Sequence, residues 1–214
     1  MRVLELFSGT GSVGKVCKQK GWEVTSLDFI DKWNADIVCD ILEWDYKSLP
    51  QDSFDLCWMS PPCCEYSKVK DSWLGRELID GKTKERYIFT KEIQNQKRLE
   101  SDKLVKRALD IVDYFKPKYW FMENPATGNL GKRDVVKGIP YYDVDYCKYS
   151  NWGYRKRTRI WTNKKDFIPK KCCKDCENMD ESKKKHVADV SRNYSSPQMR
   201  YRIPEKLILE LFDI

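Results

Sequence analysis

Two short segments of the chain carry the residue types of covalent catalysis. Pro61-Pro62-Cys63-Cys64 sets a thiol directly after two prolines, and Glu123-Asn124-Pro125 sets a carboxyl after the apolar run Tyr119-Trp120-Phe121-Met122. Prolines stiffen the backbone leading to Cys63. A thiol at such a turn becomes a good nucleophile when a helix N-terminus or nearby cations lower its pKa. A carboxyl flanked by aromatic residues is a candidate proton donor. Arg157-Thr158-Arg159 alternates as a strand does, which points both guanidiniums to one side. That fork suits a phosphate or a carbonyl oxygen. The plainer alternative for Cys63-Cys64 is a buried or metal-bound pair.

A ligand for this chemistry has a place to sit. Ser8-Gly9-Thr10-Gly11 follows a short apolar segment and precedes a helix-like stretch, so its glycines let backbone approach a ligand closely. Asp28 lies about 20 residues further on, where an acidic side chain grips ribose hydroxyls. Asp40 ends the next apolar segment and is placed to accept from an adenine amino group. Gly14 completes a Gly-x-Gly-x-x-Gly spacing, which also permits a nicotinamide dinucleotide. The remaining chemistry, a thiol and a carboxylate, is not that of hydride transfer.

These residues need strands to align them. Residues 2–7, 22–27, 35–39, 53–59, 119–122, 142–147 and 158–162 read as strands, and 13–20 as a helix closed by Gly21. Leu104, Ala108, Leu109, Ile111, Val112 and Phe115 recur at helical spacing up to Pro117, and Leu207, Ile208 and Leu211 mark a terminal helix over 204–212. Residues 65–100 show little periodicity. Strands separated by helix-length segments predict an α/β fold with a mainly parallel sheet, whose ligands sit at the carboxyl ends of the strands.

The 214 residues suit one domain with a small appendage, and 41% hydrophobic residues exclude disorder as the dominant state. No apolar run reaches membrane-spanning length, and Met1-Arg2-Val3-Leu4 lacks a signal-peptide layout, which predicts a soluble intracellular protein. The net charge of +7 fits a polyanionic partner without requiring one. Nine cysteines, several in apolar runs (Cys39, Cys57, Cys147), read as reduced thiols rather than a disulfide framework.

Taken in order, the motifs resemble the 5-methylcytosine family of DNA methyltransferases. Leu6-Phe7-Ser8-Gly9-Thr10-Gly11 is similar to its Phe-x-Gly-x-Gly cofactor motif, Cys39-Asp40-Ile41 to its Gly-Asp-Ile segment, and Pro61-Pro62-Cys63 to its Pro-Cys loop. Phe121-Met122-Glu123-Asn124 resembles its Glu-Asn motif, and Arg157-x-Arg159 its Gln-x-Arg-x-Arg motif, with Arg155 in place of Gln. The compactness is most like phage and large-DNA-virus members, which would put the protein in a bacterial cytoplasm or an infected host cell.

The resemblance implies a Rossmann-like class I methyltransferase, a seven-stranded sheet flanked by helices. It implies S-adenosylmethionine, held by Phe7, Ser8, Gly9, Thr10, Gly11, Asp28, Phe29, Asp40, Ile41 and Pro61. It implies that Cys63 attacks C6 of a flipped cytosine, that Glu123 engages N3, that Asn124 orients the loop, and that Arg157 and Arg159 hold the O2 side. The partner it implies is DNA, double-stranded DNA ahead of RNA. An RNA cytosine methyltransferase, or a silent DNA-binding subunit of this fold, is the alternative. Lys68, Lys70, Arg76, Lys82 and Lys84 are candidates for the phosphate path.

Residues 1–163 with 195–214 would form the catalytic domain, and 164–194 a reduced target-recognition insert. The insert has about 30 residues, too few for a core of its own, so sequence preference should be short or relaxed. Cys173-x-x-Cys176 with His186 has zinc-knuckle spacing and is a weak zinc candidate, its fourth ligand left open because Cys172 adjoins Cys173 and would be strained. Plain thiols in a loop are the preferred reading, with no metal. Lys170-Lys171 and Lys183-Lys184-Lys185 are further phosphate candidates. The expected terminal Gly-Asn-Ser-Val is replaced by Met199-Arg200-Tyr201-Arg202.

Overall fold

Val3, Leu4, Glu5 and Leu6 are buried although they alternate between the two sides of a strand, so β1 (Arg2–Leu6) must be covered on both faces. The structure, a computed structural model, describes residues 1–81, 83–189 and 196–213. Helix α1 (Ser12–Gln19) follows, then strands β2 (Glu23–Asp28), β3 (Ile37–Val38) and β4 (Leu56–Met59). A small hairpin of β5 (Glu77–Ile79) and β6 (Arg86–Ile88) precedes helix α2 (Lys91–Phe115). Strands β7 (Tyr119–Pro125), β8 (Tyr141–Asp145) and β9 (Arg157–Thr162) complete the sheet, and helices α3 (Pro197–Tyr201) and α4 (Glu205–Leu211) end the described chain.

The seven strands lie in the order β3-β2-β1-β4-β7-β9-β8, all parallel except β9, which is antiparallel to both neighbours. This is the expected α/β sheet. Chain order reverses between β1 and β4, which opens a ligand crevice at their carboxyl ends. Helix α2 packs Val105, Ala108 and Ile111 against Leu4, Leu6, Met59 and Met122 on one face. Helices α1 and α4 cover Val3, Trp58, Phe121 and Ile160 on the other.

Three expectations change. Helix α2 starts at Lys91, capped by the Thr90 hydroxyl, well before the periodic stretch. Its first half buries polar residues, Gln94 and Ser101, so the apolar pattern is silent there. The strand expected over 142–147 ends at Asp145 and becomes the 3-10 turn Tyr146–Lys148, which takes Cys147 out of the sheet. Helix α3 precedes the expected terminal helix. Among the described residues no helix is long and apolar enough to cross a membrane. Lys82 and residues 190–195, from the basic path, the insert and the start of the terminal segment, lie outside the described residues.

Candidate active site

At the end of β1 the chain turns through Phe7, Gly9 and Gly11, all with positive φ (57°, 48° and 64°). A phenylalanine in that region is uncommon and costs backbone energy. Two hydrogen bonds hold the turn: Ser8 N donates to Leu27 O at 3.1 Å and Gly11 N to Ser8 O at 2.8 Å. A side chain at Gly11 would meet nothing within 4 Å, so the backbone there faces open space at the start of α1. Thr10 Oγ1 and Ser12 Oγ share a hydrogen bond of 2.9 Å.

Asp28 accepts Gly9 N and Ile30 N, each at 2.8 Å, one on each carboxylate oxygen. It therefore ties the glycine turn to the end of β2. Phe29 follows with its side chain 72% exposed, an apolar ring left in solvent at the crevice edge. Asp40 receives Leu42 N at 2.9 Å, and the buried Ile41 gives its carbonyl to Arg107 Nε at 3.1 Å. All these residues stand at the carboxyl edge of the sheet, as the sequence predicts.

Glu5, which the motifs did not single out, lies beneath the turn. Its carboxylate is 3% exposed and accepts Gly14 N at 3.0 Å, and a Cβ at Gly14 would come within 2.6 Å of the same oxygen. Gly14 is thus a packing glycine. Burial pushes the Glu5 carboxyl up to about 7 from 4.5, against the lowering by backbone N–H groups. The folded protein keeps this proton between pH 4.5 and 7 while the unfolded chain loses it, so stability falls as pH rises through that window. The loss is at most about 3 kcal/mol. Chemical denaturation from pH 4.5 to 8 should therefore show a flatter profile in Glu5→Gln than in the unaltered protein.

Beyond β4, Pro61 and Pro62 carry the chain to Cys63, half-buried, whose carbonyl accepts Tyr66 N at 3.1 Å as a 3-10 turn begins. Asn124, 1% exposed at the end of β7, donates from Nδ2 to Pro61 O at 2.8 Å. That bond ties the proline turn to the neighbouring strand. Glu123 and Lys156 both act electrostatically on the Cys63 thiol.

The ionisation of the cysteine pair differs from expectation. Cys63 donates a hydrogen bond to the Cys64 sulfur, and this with burial pushes its thiol far up rather than down. The same bond holds Cys64 down, at about 6, with help from Lys70.

Glu123 is 7% exposed and accepts Tyr146 Oη at 3.1 Å. The cation beside it is Lys156, whose Nζ lies 3.5 Å from Glu123 Oε1 and 4.9 Å from the Tyr146 ring centre. Arg157 and Arg159 share one side of β9, but it is the side of Asn124, opposite Glu123, because Asn124 pairs with Arg159 and Glu123 with Ile160. Both are engaged by acids. Arg157, together with Arg155, pairs with Asp145, and Arg159 pairs with Asp143 at 2.7 Å while stacking on Tyr141. Combining the register with the alternation of residues 155–159 would have singled out Lys156, but register is not visible in one sequence.

The terminal segment returns to this edge despite its unusual residues. Ile203 N donates to Ser12 Oγ at 3.3 Å and Lys156 Nζ to Arg200 O at 3.3 Å. Of the basic candidates, Lys70 is held by Glu65, Lys84 by Gly81 O and Lys170 by Glu210, whereas Lys68, Arg76, Lys171 and Lys183-Lys184-Lys185 are exposed.

A sheet in this order, with a glycine turn at its switch point, is the architecture of a class I methyltransferase. It matches the Entamoeba histolytica methyltransferase EhMeth over 88% of this chain, with a TM-score of 0.55 and 16% identity. The chain spans 57% of that protein's length, and the likeness is one of fold. No protein-family model matches. Along its whole length the chain is 40% identical to a "Probable DNA (cytosine-5)-methyltransferase" of Frog virus 3 (isolate Goorha), all of which it covers. The chain belongs to the DNA (cytosine-5)-methyltransferase family.

Proposed function

We propose that the protein transfers a methyl group from S-adenosylmethionine to C5 of cytosine in double-stranded DNA, with Cys63 as nucleophile. The observation that carries the residue roles is the Asn124–Pro61 hydrogen bond of 2.8 Å, which couples the Cys63 turn to the strand bearing Glu123. The crevice fits the methyl donor. Gly9 and Gly11 leave bare backbone at the head of α1, and the exposed Phe29 offers a ring face to an adenine. S-adenosylmethionine, when bound, supplies the methyl as a sulfonium.

The target base must leave the duplex stack, because C5 and C6 cannot be reached above and below the ring inside it. Cys63 gives up its proton to solvent and its thiolate bonds to C6, and the displaced C5–C6 electron pair makes C5 nucleophilic. Glu123 in its acid form donates its proton to N3 as charge gathers there. After methylation, the C5 proton passes to solvent, its electron pair re-forms the C5–C6 double bond, and the Cys63 thiolate is expelled. Lys156 holds the Glu123 carboxylate in place, while Arg157 and Arg159 brace the β8–β9 hairpin through Asp145 and Asp143. Residues 164–194 form the recognition insert, with a short target sequence.

Methyl transfer from radiolabelled donor to duplex DNA, but not to RNA of the same sequence, is the expected result. Transfer to RNA alone, or to neither, contradicts the proposal. Lys156→Gln should lower kcat about 10- to 100-fold with an unchanged KM for the methyl donor, and Lys156→Arg should recover part of the loss. Steady-state kinetics checks both.

A further inference from the structure

The insert's thiols do not lie as plain loop cysteines. Cys172, Cys176 and His186 converge with Cys147, which comes from the 3-10 turn after β8, and their ligand atoms all lie within 4.8 Å of one another. Cys173, the expected ligand, is exposed and not part of this cluster. The spacing that serves is Cys172-x-x-x-Cys176, with the fourth ligand from outside the insert.

We propose that these four residues form a structural zinc site, closed by three thiolates and one imidazole. Tetrahedral zinc with ordinary Zn–S and Zn–N bonds puts sulfurs about 3.8 Å apart and sulfur about 3.6 Å from nitrogen. Cys172 Sγ lies 3.6 Å from Cys176 Sγ and 3.6 Å from His186 Nε2, and Cys176 Sγ lies 3.4 Å from His186 Nε2.

The surrounding bonds fix the ligands as an outer shell does. Lys174, in the left-handed conformation, donates its N–H to Cys172 Sγ at 3.3 Å. Asp145 accepts Cys172 N at 2.9 Å, and Met179 bridges to His186 as a short antiparallel pair. The buried Asn178 binds Cys147 O and Ser150 O, and receives Gly153 N at 2.7 Å.

A metal here compensates for what the insert lacks. Too short for its own core, it is stapled to the catalytic sheet by an ion whose binding free energy becomes folding free energy. Cys147 directly follows Tyr146, the residue hydrogen-bonded to Glu123, so the staple holds the recognition segment in register with the catalytic carboxylate.

The test is metal content and cobalt substitution of the full-length reduced protein. The expected result is about one zinc per chain after desalting, retained in Cys173→Ser and lost in Cys176→Ser. Cobalt-loaded protein should show the intense visible bands of tetrahedral thiolate cobalt. Zinc-free native protein that is folded by circular dichroism overturns the proposal. So does loss of zinc in Cys173→Ser, which leaves all four ligands intact and does not depend on a destabilised variant folding.

Discussion

Replacing Cys63 with alanine lowers methyl transfer by about a thousandfold or more, while the protein still binds its methyl donor. The size follows from the chemistry. Without a bond to C6 the pyrimidine C5 has no electron pair to offer a sulfonium methyl, and Glu123 alone cannot create one. Donor binding should survive because the proposed donor site, the glycine turn after β1 with Asp28 and Phe29 at the end of β2, is separate from Cys63 beyond β4. Isothermal titration with the donor and a single-turnover transfer assay separate the two effects. Cys64→Ser acts differently. It removes the acceptor that keeps the Cys63 proton, so the pH profile shifts while the maximal rate survives. Equal loss in both variants would make the two sulfurs one catalytic unit.

Asp145→Ala unfolds the protein at a much lower temperature. The carboxylate is fully buried and accepts Arg155 Nε, Arg157 Nε and Nη2, and Cys172 N, at 2.9 to 3.2 Å. Removing it leaves two guanidiniums without their acid and the first residue of the cysteine cluster without its anchor. Breaking one partner out of such a buried network costs about 3 kcal/mol. For a chain of this length that lowers the melting temperature by about 10 °C. Asp143→Ala, which frees only Arg159, should cost less, because that guanidinium keeps its stack on Tyr141. Differential scanning calorimetry of the two variants measures the contrast.

Local punctuation made the edge that carries the candidate site legible. The Gly9/Gly11 turn, Asp28, Asp40, Pro61-Pro62-Cys63 and Glu123-Asn124 each end a short apolar run, and parallel strands bring such ends to one edge. What stayed hidden depends on contacts between distant segments. The first half of α2 packs through polar bonds, Tyr66 Oη to Asp102 at 3.0 Å and Arg98 Nε to Glu65 O at 3.3 Å, so no apolar stripe announced it. The β5–β6 hairpin leaves Ile79 and Ile88 exposed and shows no core-facing period. Lys156 was overlooked beside two arginines because the face it occupies is set by register with β7. Cys147 joins Cys172, Cys176 and His186 from 25 residues or more earlier in the chain, a closure that ligand spacing alone does not reveal.

Incubating the protein with donor and duplex DNA containing 5-fluorocytosine, then mapping the cross-linked peptide by mass spectrometry, tests the nucleophile directly. Fluorine at C5 blocks the final proton loss, so the sulfur–C6 bond persists and marks the atom that attacked. The account predicts a DNA adduct on Cys63 that disappears in Cys63→Ala. An adduct carried by Cys64, or none in protein that methylates ordinary cytosine, contradicts it.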